Sequence, residues 1–286
     1  MPGQEAGELR NLPRENVYGH RKRLHFFVSE IGKHQQAIGR RNESIRILDV
    51  GCGTGTMVTR PLAELGYPVV GLDTDEASIR QGIRLNATRH HLPNLSYAVG
   101  LLEEQRFGAP FDVIVCSEVL EHLRDPGALV DRLRDALADD GLLLITVPNG
   151  YGLFELDNLV WKILSRIPGF WRLPALWLRG KGILLKAFGP ERETPSAAEE
   201  DGPDGLATLN EGQPHCQRFT RGRVVGLFRR SGLRLVGAAK SSVWAGPFAT
   251  LVLRDVGPLI RLNCRLADLL PSCLASGLYF SFRKSG

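Results

Sequence analysis

Residues 45–56 read "IRILDVGCGTGT", and the fold turns on this stretch. Ile45, Ile47, Leu48 and Val50 form a short apolar run of the kind buried in a parallel sheet, and the run breaks at Gly51, Gly53 and Gly55. Glycines where a strand turns into a helix let the backbone come close to a ligand, and the amides that open the helix favour negative charge. The spacing is G-x-G-x-G. Thr56 stands where the third glycine of a dinucleotide fingerprint would fall, and Asp49 precedes the first glycine by two residues. Both features count against a nicotinamide cofactor.

Working outward, "PVVGLD" (68–73), "LSYAVG" (95–100), "FDVIVCS" (111–117) and "GLLLITVP" (141–148) repeat the short Val/Ile/Leu-rich pattern. Helical patterns separate them, including Pro126–Ala138, where Leu129, Val130, Leu133 and Leu137 form one stripe. Such alternation predicts an α/β, doubly wound, parallel sheet. Upstream, Leu24, Phe27, Val28 and Ile31 give residues 17–38 an amphipathic helix ending at Gly39, so residues 1–44 read as a helical cap on a single domain at 45–286. Downstream, "FTRGRVVGLFRRSG" (219–232) reads as a helix with Thr220 as N-cap, and "LRLVGAAK" (233–240) as the next strand. The final run "SGLYFSFRK" (276–284) alternates as an edge-region strand does.

Two insertions decorate this plan, after the fifth and sixth strands. Residues 151–188 hold Trp161, Trp171 and Trp177, and 154–188 carry six cations against Glu155 and Asp157, which suits an acceptor lid. Tryptophan with Lys and Arg on a helical segment also suits a membrane surface. Residues 190–214 begin with an acidic, Pro- and Gly-rich run and read as a mobile loop. The second insertion, 241–275, has helical apolar patterning around "LIRLNCRLADLL". The chain of 286 residues is 43% hydrophobic with a formal charge of +5, a mild excess that permits an anionic partner without requiring one. Its five cysteines form no C-x-x-C pair and read as reduced thiols. The polar N-terminus and the absence of any apolar run of about 18 residues predict a cytoplasmic protein, at most peripheral at a membrane.

"LDVGCGTG", the Asp73 that closes "VVGLDTD" 18 residues after Gly55, and "FDVIVCSEVLEHL" followed by "GLLLITVPN" together resemble the class I S-adenosylmethionine-dependent methyltransferases, over about residues 45–149 and again at 215–239. Within that class the chain resembles the ubiquinone-pathway O-methyltransferase-like group. The resemblance implies a Rossmann-like sheet of seven strands, mostly parallel, with the last antiparallel, and S-adenosylmethionine as cofactor. It assigns the methionine part to Asp49, Gly51, Cys52, Gly53 and Gly55, the ribose to Asp73 with Thr74 beside it, and the wall near the sulfonium to Cys116 or Ser117. After the third strand the family commonly places an acid facing the adenine amino group. Here "GLLEE" offers Leu101 and Leu102 to clamp the ring, with Glu103 as a replacement acceptor.

"SEVLEH" (117–122), if it opens a helix, puts Glu118, Glu121 and His122 on one face at i, i+3 and i+4. Three readings stand. The acids favour a helix N-terminus and His122 packs beside them; or the trio holds a divalent metal, as the same pattern does in the O-methyltransferases it resembles; or His122 or Glu118 is a general base. His215, where the chain re-enters the domain, is a candidate fourth member of that set and a further catalytic candidate, with an ordinary structural histidine as the alternative. The expected acceptor is a small or lipid-linked molecule. The rivals are RNA, methylated at the 2′-oxygen, and a cofactor-binding module without chemistry.

Overall fold

A computed structural model describes residues 15–170, 215–253 and 256–285. The chain enters as α1 (His20–Ile38), then alternates β1 (Ile47–Val50), α2 (Thr59–Glu64), β2 (Val69–Asp73), α3 (Glu76–Thr88), β3 (Leu95–Val99), β4 (Phe111–Ser117), α4 (Pro126–Ala136) and β5 (Leu137–Pro148). α5 (Leu153–Leu164) follows in the first insertion. α6 (Arg221–Arg230) and β6 (Leu233–Lys240) resume the sheet, α7 (Pro247–Leu253) and α8 (Gly257–Leu269) fill the second insertion, and β7 (Gly277–Lys284) closes it. The seven strands lie in the order β3-β2-β1-β4-β5-β7-β6, with β7 antiparallel to both neighbours and the other pairs parallel. This is the α/β Rossmann-like sheet of seven strands that the resemblance implies.

Local chemistry sets the helix ends. Asp75 accepts from the amides of Ala77 and Ser78 to start α3, Asp125 accepts from Gly127 ahead of Pro126 to start α4, and Thr220 accepts from Arg223 to start α6. The period of two along the strands divides the core between the two sheet faces. Leu143, Ile145, Phe280 and Phe282 pack under α4 and α6, whereas Leu142, Leu144, Val113 and Val115 pack under α1 and α2. A small third cluster, Val17, Ala249, Leu253, Ile260 and Cys264, sits beneath the second insertion.

Two expectations need correction. The last strand is not at an edge: β7 lies between β5 and β6 and is buried from Gly277 to Phe282. Its alternation is chemical, with Tyr279 and Ser281 turned toward α1, where they bond Gly19 and Glu30, and Phe280 and Phe282 turned toward α6. Nor does "SEVLEH" open a helix. β4 ends at Ser117, Glu118 takes a left-handed φ of 58°, and a single 3₁₀ turn spans Leu120–His122. Residues 171–188 of the expected acceptor lid, with Trp171 and Trp177, and the whole of 190–214, expected as a mobile acidic loop, lie outside the described residues.

Candidate active site

Strand order reverses between β1 and β4, and in open α/β sheets that reversal leaves a crevice beyond the carboxyl ends of the strands. On the β1 side, Gly51, Gly53 and Gly55 all have positive φ (73°, 55° and 74°). A Cβ at Gly51 would overlap Val119 across the crevice and one at Gly55 would overlap the Tyr97 hydroxyl, while Gly53 faces open space. The tight positions shape the turn and the open one leaves room for a ligand.

Asp73 ends β2 beneath this turn. Its Oδ2 accepts from the Gly53 amide at 2.7 Å and its Oδ1 from the Asp75 amide at 2.9 Å. Each carboxylate oxygen keeps a second lone pair, so two vicinal hydroxyls can still bond there. Asp49 is buried, with Thr59 Oγ1 donating to its Oδ2 at 2.6 Å. Burial, with the nearby Asp73 charge adding to it, pushes the Asp49 carboxyl up to about 7, against the lowering effect of the Thr59 bond. Cys52 packs over Gly71, and burial raises its thiol far above the usual range, so it lines the site as a small apolar group.

The remaining cofactor candidates separate. Thr74 is exposed at the rim, and Leu101 is 46% exposed past the end of β3. Leu102 instead points into the core with Phe111 and Leu133. Cys116 is likewise fully buried in the core. Ser117 is the one of that pair at the crevice, its hydroxyl 2.8 Å from Thr146 Oγ1. Glu103 is exposed, and its neighbour Glu104 accepts from the Leu101 amide.

The β4 side is built from side chains carried by several elements. Thr146 of β5 donates to Glu118 Oε1 at 2.7 Å, and Arg23 of α1 lies 3.7 Å from the same oxygen. Glu121 is buried, held where its carbonyl accepts from the amides of Cys216 and Gln217. Its Oε2 has no hydrogen-bond partner among the described residues. Burial, reinforced by Glu118, drives its carboxyl well above the carboxylate range. His122 Nε2 lies 3.8 Å from Glu121 Oε1, and the His122 and His215 rings meet edge-on at 5.2 Å. Glu121, His122 and His215 bring one ligand atom each within 4.8 Å of one another. The compact trio therefore contains His215 in place of Glu118, because the left-handed backbone at Glu118 turns its carboxylate toward Thr146 and Arg23.

Sequence reasoning missed Arg23, Thr146 and Glu155. Arg23 sits on α1, its side chain only 12% exposed, and its positive charge opposes the raising of both Asp49 and Glu121. A cation one helical turn ahead of Phe27 on a buried stripe was the available signal. Glu155 of α5 lies 3.7 Å from His215 Nδ1, so the first insertion reaches the trio. Asn149, at the head of the first insertion, donates its side-chain amide to the carbonyls of Ser272, Cys273 and Ala275 and so ties that turn to the chain ahead of β7.

A family model described as a methyltransferase domain matches residues 21–238. The chain is 33% identical over 105 residues to a ubiquinone biosynthesis O-methyltransferase of Bradyrhizobium diazoefficiens, covering 37% of this chain and 40% of that one. To the protein of the same name from Maricaulis maris it is 35% identical over 130 residues, covering 44% and 50%. The alignments thus span two fifths to one half of these relatives' lengths. Among solved structures, PKMT2 from Rickettsia typhi aligns with a TM-score of 0.54 at 13% identity, over 95% of this chain and 54% of that one. The magnesium protoporphyrin IX methyltransferase of Synechocystis with bound SAH aligns at 0.50 and 12%, over 99% and 95%. These structural likenesses show the fold.

Proposed function

The chain belongs to the methyltransferase-domain family, and from that premise we propose that it is an S-adenosylmethionine-dependent enzyme that methylates a hydroxyl oxygen of a small-molecule or lipid-linked acceptor. The observation that carries this reading is the Glu121–His122–His215 trio beside the cofactor turn. Methyl transfer is an in-line displacement at a sulfonium, and alignment of the two reactants supplies much of the rate. A hydroxyl acceptor must also lose a proton as its oxygen attacks, and two imidazoles next to a buried carboxylate are proton acceptors suited to that task near neutral pH.

For the cofactor, the glycine turn with Asp49 takes the methionine part, Asp73 the ribose hydroxyls, and Leu101 one face of the adenine. Arg23 is suited to the methionine carboxylate, since it is a shielded cation on the β4 side whose charge still acts on Asp49 across the crevice. Ser117 and the Thr146–Glu118 pair form the wall where acceptor and sulfonium meet.

The trio also fits a divalent ion. One carboxylate with two imidazoles suits Mn²⁺ or a similar borderline ion, and the unpartnered Glu121 Oε2 is an acceptor in need of a cation. Such an ion would supply Lewis acidity that lowers the hydroxyl pKa of the acceptor. A lipid-linked acceptor would bring the protein to the cytoplasmic face of a membrane as a peripheral component. No helix among the described residues is long and apolar enough to cross one.

The test is transfer of a labelled methyl group to fractionated acceptor pools. Label in base-stable methyl ethers supports the reading, and label confined to amines overturns it. Loss of transfer in EDTA with recovery in Mn²⁺ or Mg²⁺ assigns the trio to an ion. Indifference to EDTA assigns it to proton transfer alone.

A further inference from the structure

Large apolar side chains are exposed mainly on the two insertions. On α5 and the turn after it, Leu156, Leu159, Val160, Ile163 and Ile167 are exposed at i, i+3, i+4, i+7 and i+11. On α8, Leu259, Leu262, Leu266 and Leu269 are exposed at i, i+3, i+7 and i+10, with Leu269 at 82%. Each set is a stripe about 100° wide or less at 100° per residue. Each is distinct from the face by which its helix packs, Asp157 on α5 and Ile260, Asn263, Cys264 and Ala267 on α8. Such stripes on a soluble surface mark an interaction site.

Charge identifies the occupant. The acids of both helices are engaged: Glu155 with His215, Asp157 with Trp244 and the amides of Phe248 and Ala249, and Asp268 with Lys22. The cations Lys162, Arg166, Arg261 and Arg265 are exposed. An apolar stripe flanked by exposed cations, with Asp268, the one exposed acid on the two helices, neutralised by Lys22, complements anionic headgroups over acyl chains. The helices are also fastened together, because Trp244 is gripped by Asp157 of α5 through its indole N–H at 2.7 Å and by Asn263 of α8 through its backbone at 2.9 and 2.7 Å.

We propose that α5 and α8 form a two-part docking surface for an anionic phospholipid bilayer, so that the second insertion is a membrane contact in its own right. This deepens the lipid-linked acceptor reading and rests on it for its purpose, while the binding itself is measured independently of any acceptor. The probe is flotation with phosphatidylglycerol–phosphatidylcholine vesicles against pure phosphatidylcholine. The intact protein should float with the anionic vesicles, less so at high salt. Leu262→Asp with Leu266→Asp should lower the bound fraction about tenfold, Leu159→Asp with Ile163→Asp by a similar factor, and Arg261→Glu with Arg265→Glu should remove the preference for anionic lipid. Calorimetry with S-adenosylmethionine should be unchanged in all of them. That separates failure of this surface from failure of the enzyme reading, and it excludes misfolding. Undiminished flotation of the α8 variants overturns the proposal. So does absence of flotation by the intact protein, or a dimer in light scattering that Leu262→Asp dissolves.

Discussion

The two rims of the crevice are made in different ways. The β1–β2 rim is backbone: three positive-φ glycines, amides on Asp73, and a buried Asp49, all between Asp49 and Asp75. The β4–β5 rim is side chains delivered by α1, β5, the 3₁₀ turn, α5 and the segment that carries His215 toward α6. Backbone cradles tolerate few sequences and recognise the common cofactor. Side-chain clusters can be rebuilt one residue at a time, which suits the part that meets a variable acceptor. If the difference is real, the rims should fail separately.

The largest effect should come from the side-chain rim. His215→Ala should lower kcat by about 10²–10⁴, the usual contribution of positioned acid–base groups, while the dissociation constant for S-adenosylmethionine moves less than about twofold. Single-turnover rates beside calorimetry make the check. A parallel loss of cofactor affinity would break the comparison, because the rims would then be one cooperative unit. Next is Asp73→Ala, which removes the acceptor for the Gly53 and Asp75 amides and, in the proposed function, for the ribose hydroxyls. Cofactor binding should weaken by about 100-fold, near 3 kcal/mol. Affinity within a factor of three of the parent would remove Asp73 from the ribose site.

The same contrast explains what the sequence made legible. The turn, Asp73 and the five parallel strands were readable because each is a local pattern, glycine spacing or a run of branched residues, whose meaning survives without knowledge of neighbours. β7 misled because Tyr279 and Ser281 look like outward positions, yet α1 covers them and uses their hydroxyls. "SEVLEH" misled because helical spacing was assumed where Glu118 adopts φ 58°. Arg23 was invisible because its role depends on α1 crossing the sheet to reach Glu118, which lies 95 residues later.

A third effect is a matter of pH. Asp49 is raised to about 7 from an ordinary value of 3.8, so the folded state holds a proton that the unfolded chain has already released. Its stabilising share is complete below about pH 4 and is lost as pH rises, fully so just above 7. Asp49→Asn preserves an oxygen for Thr59 and removes that dependence. The cofactor-free variant should therefore melt above the parent at pH 8, by about 2–4 °C, with the gap closing toward pH 4. Its affinity for a ligand bearing an ammonium group should be lower at pH 7.5 and flat toward pH 6, where that of the parent declines. A gap in melting temperature that does not change with pH would show that Asp49 stays ionised without the cofactor, and the backbone rim would then hold two buried charges.

The smallest effect should be on stability at Glu118. A non-glycine residue in the left-handed region costs on the order of 1 kcal/mol, and Glu118→Gly would relieve it. The same change deletes the hydrogen bond from Thr146 Oγ1, worth about 1 kcal/mol, and the long contact with Arg23. These opposing terms should nearly cancel, leaving the melting temperature within about 2 °C while methyl transfer declines. Glu118→Gln keeps the bond from Thr146 and the strain but removes the charge beside Arg23. If Gly and Gln lower transfer equally at unchanged stability, the charge at Glu118 is what the site uses. If Gln retains full transfer and Gly does not, Glu118 serves only to fix the backbone that aims Glu121 and His122, and the strain at its φ is the means by which the side-chain rim is set against the glycine turn.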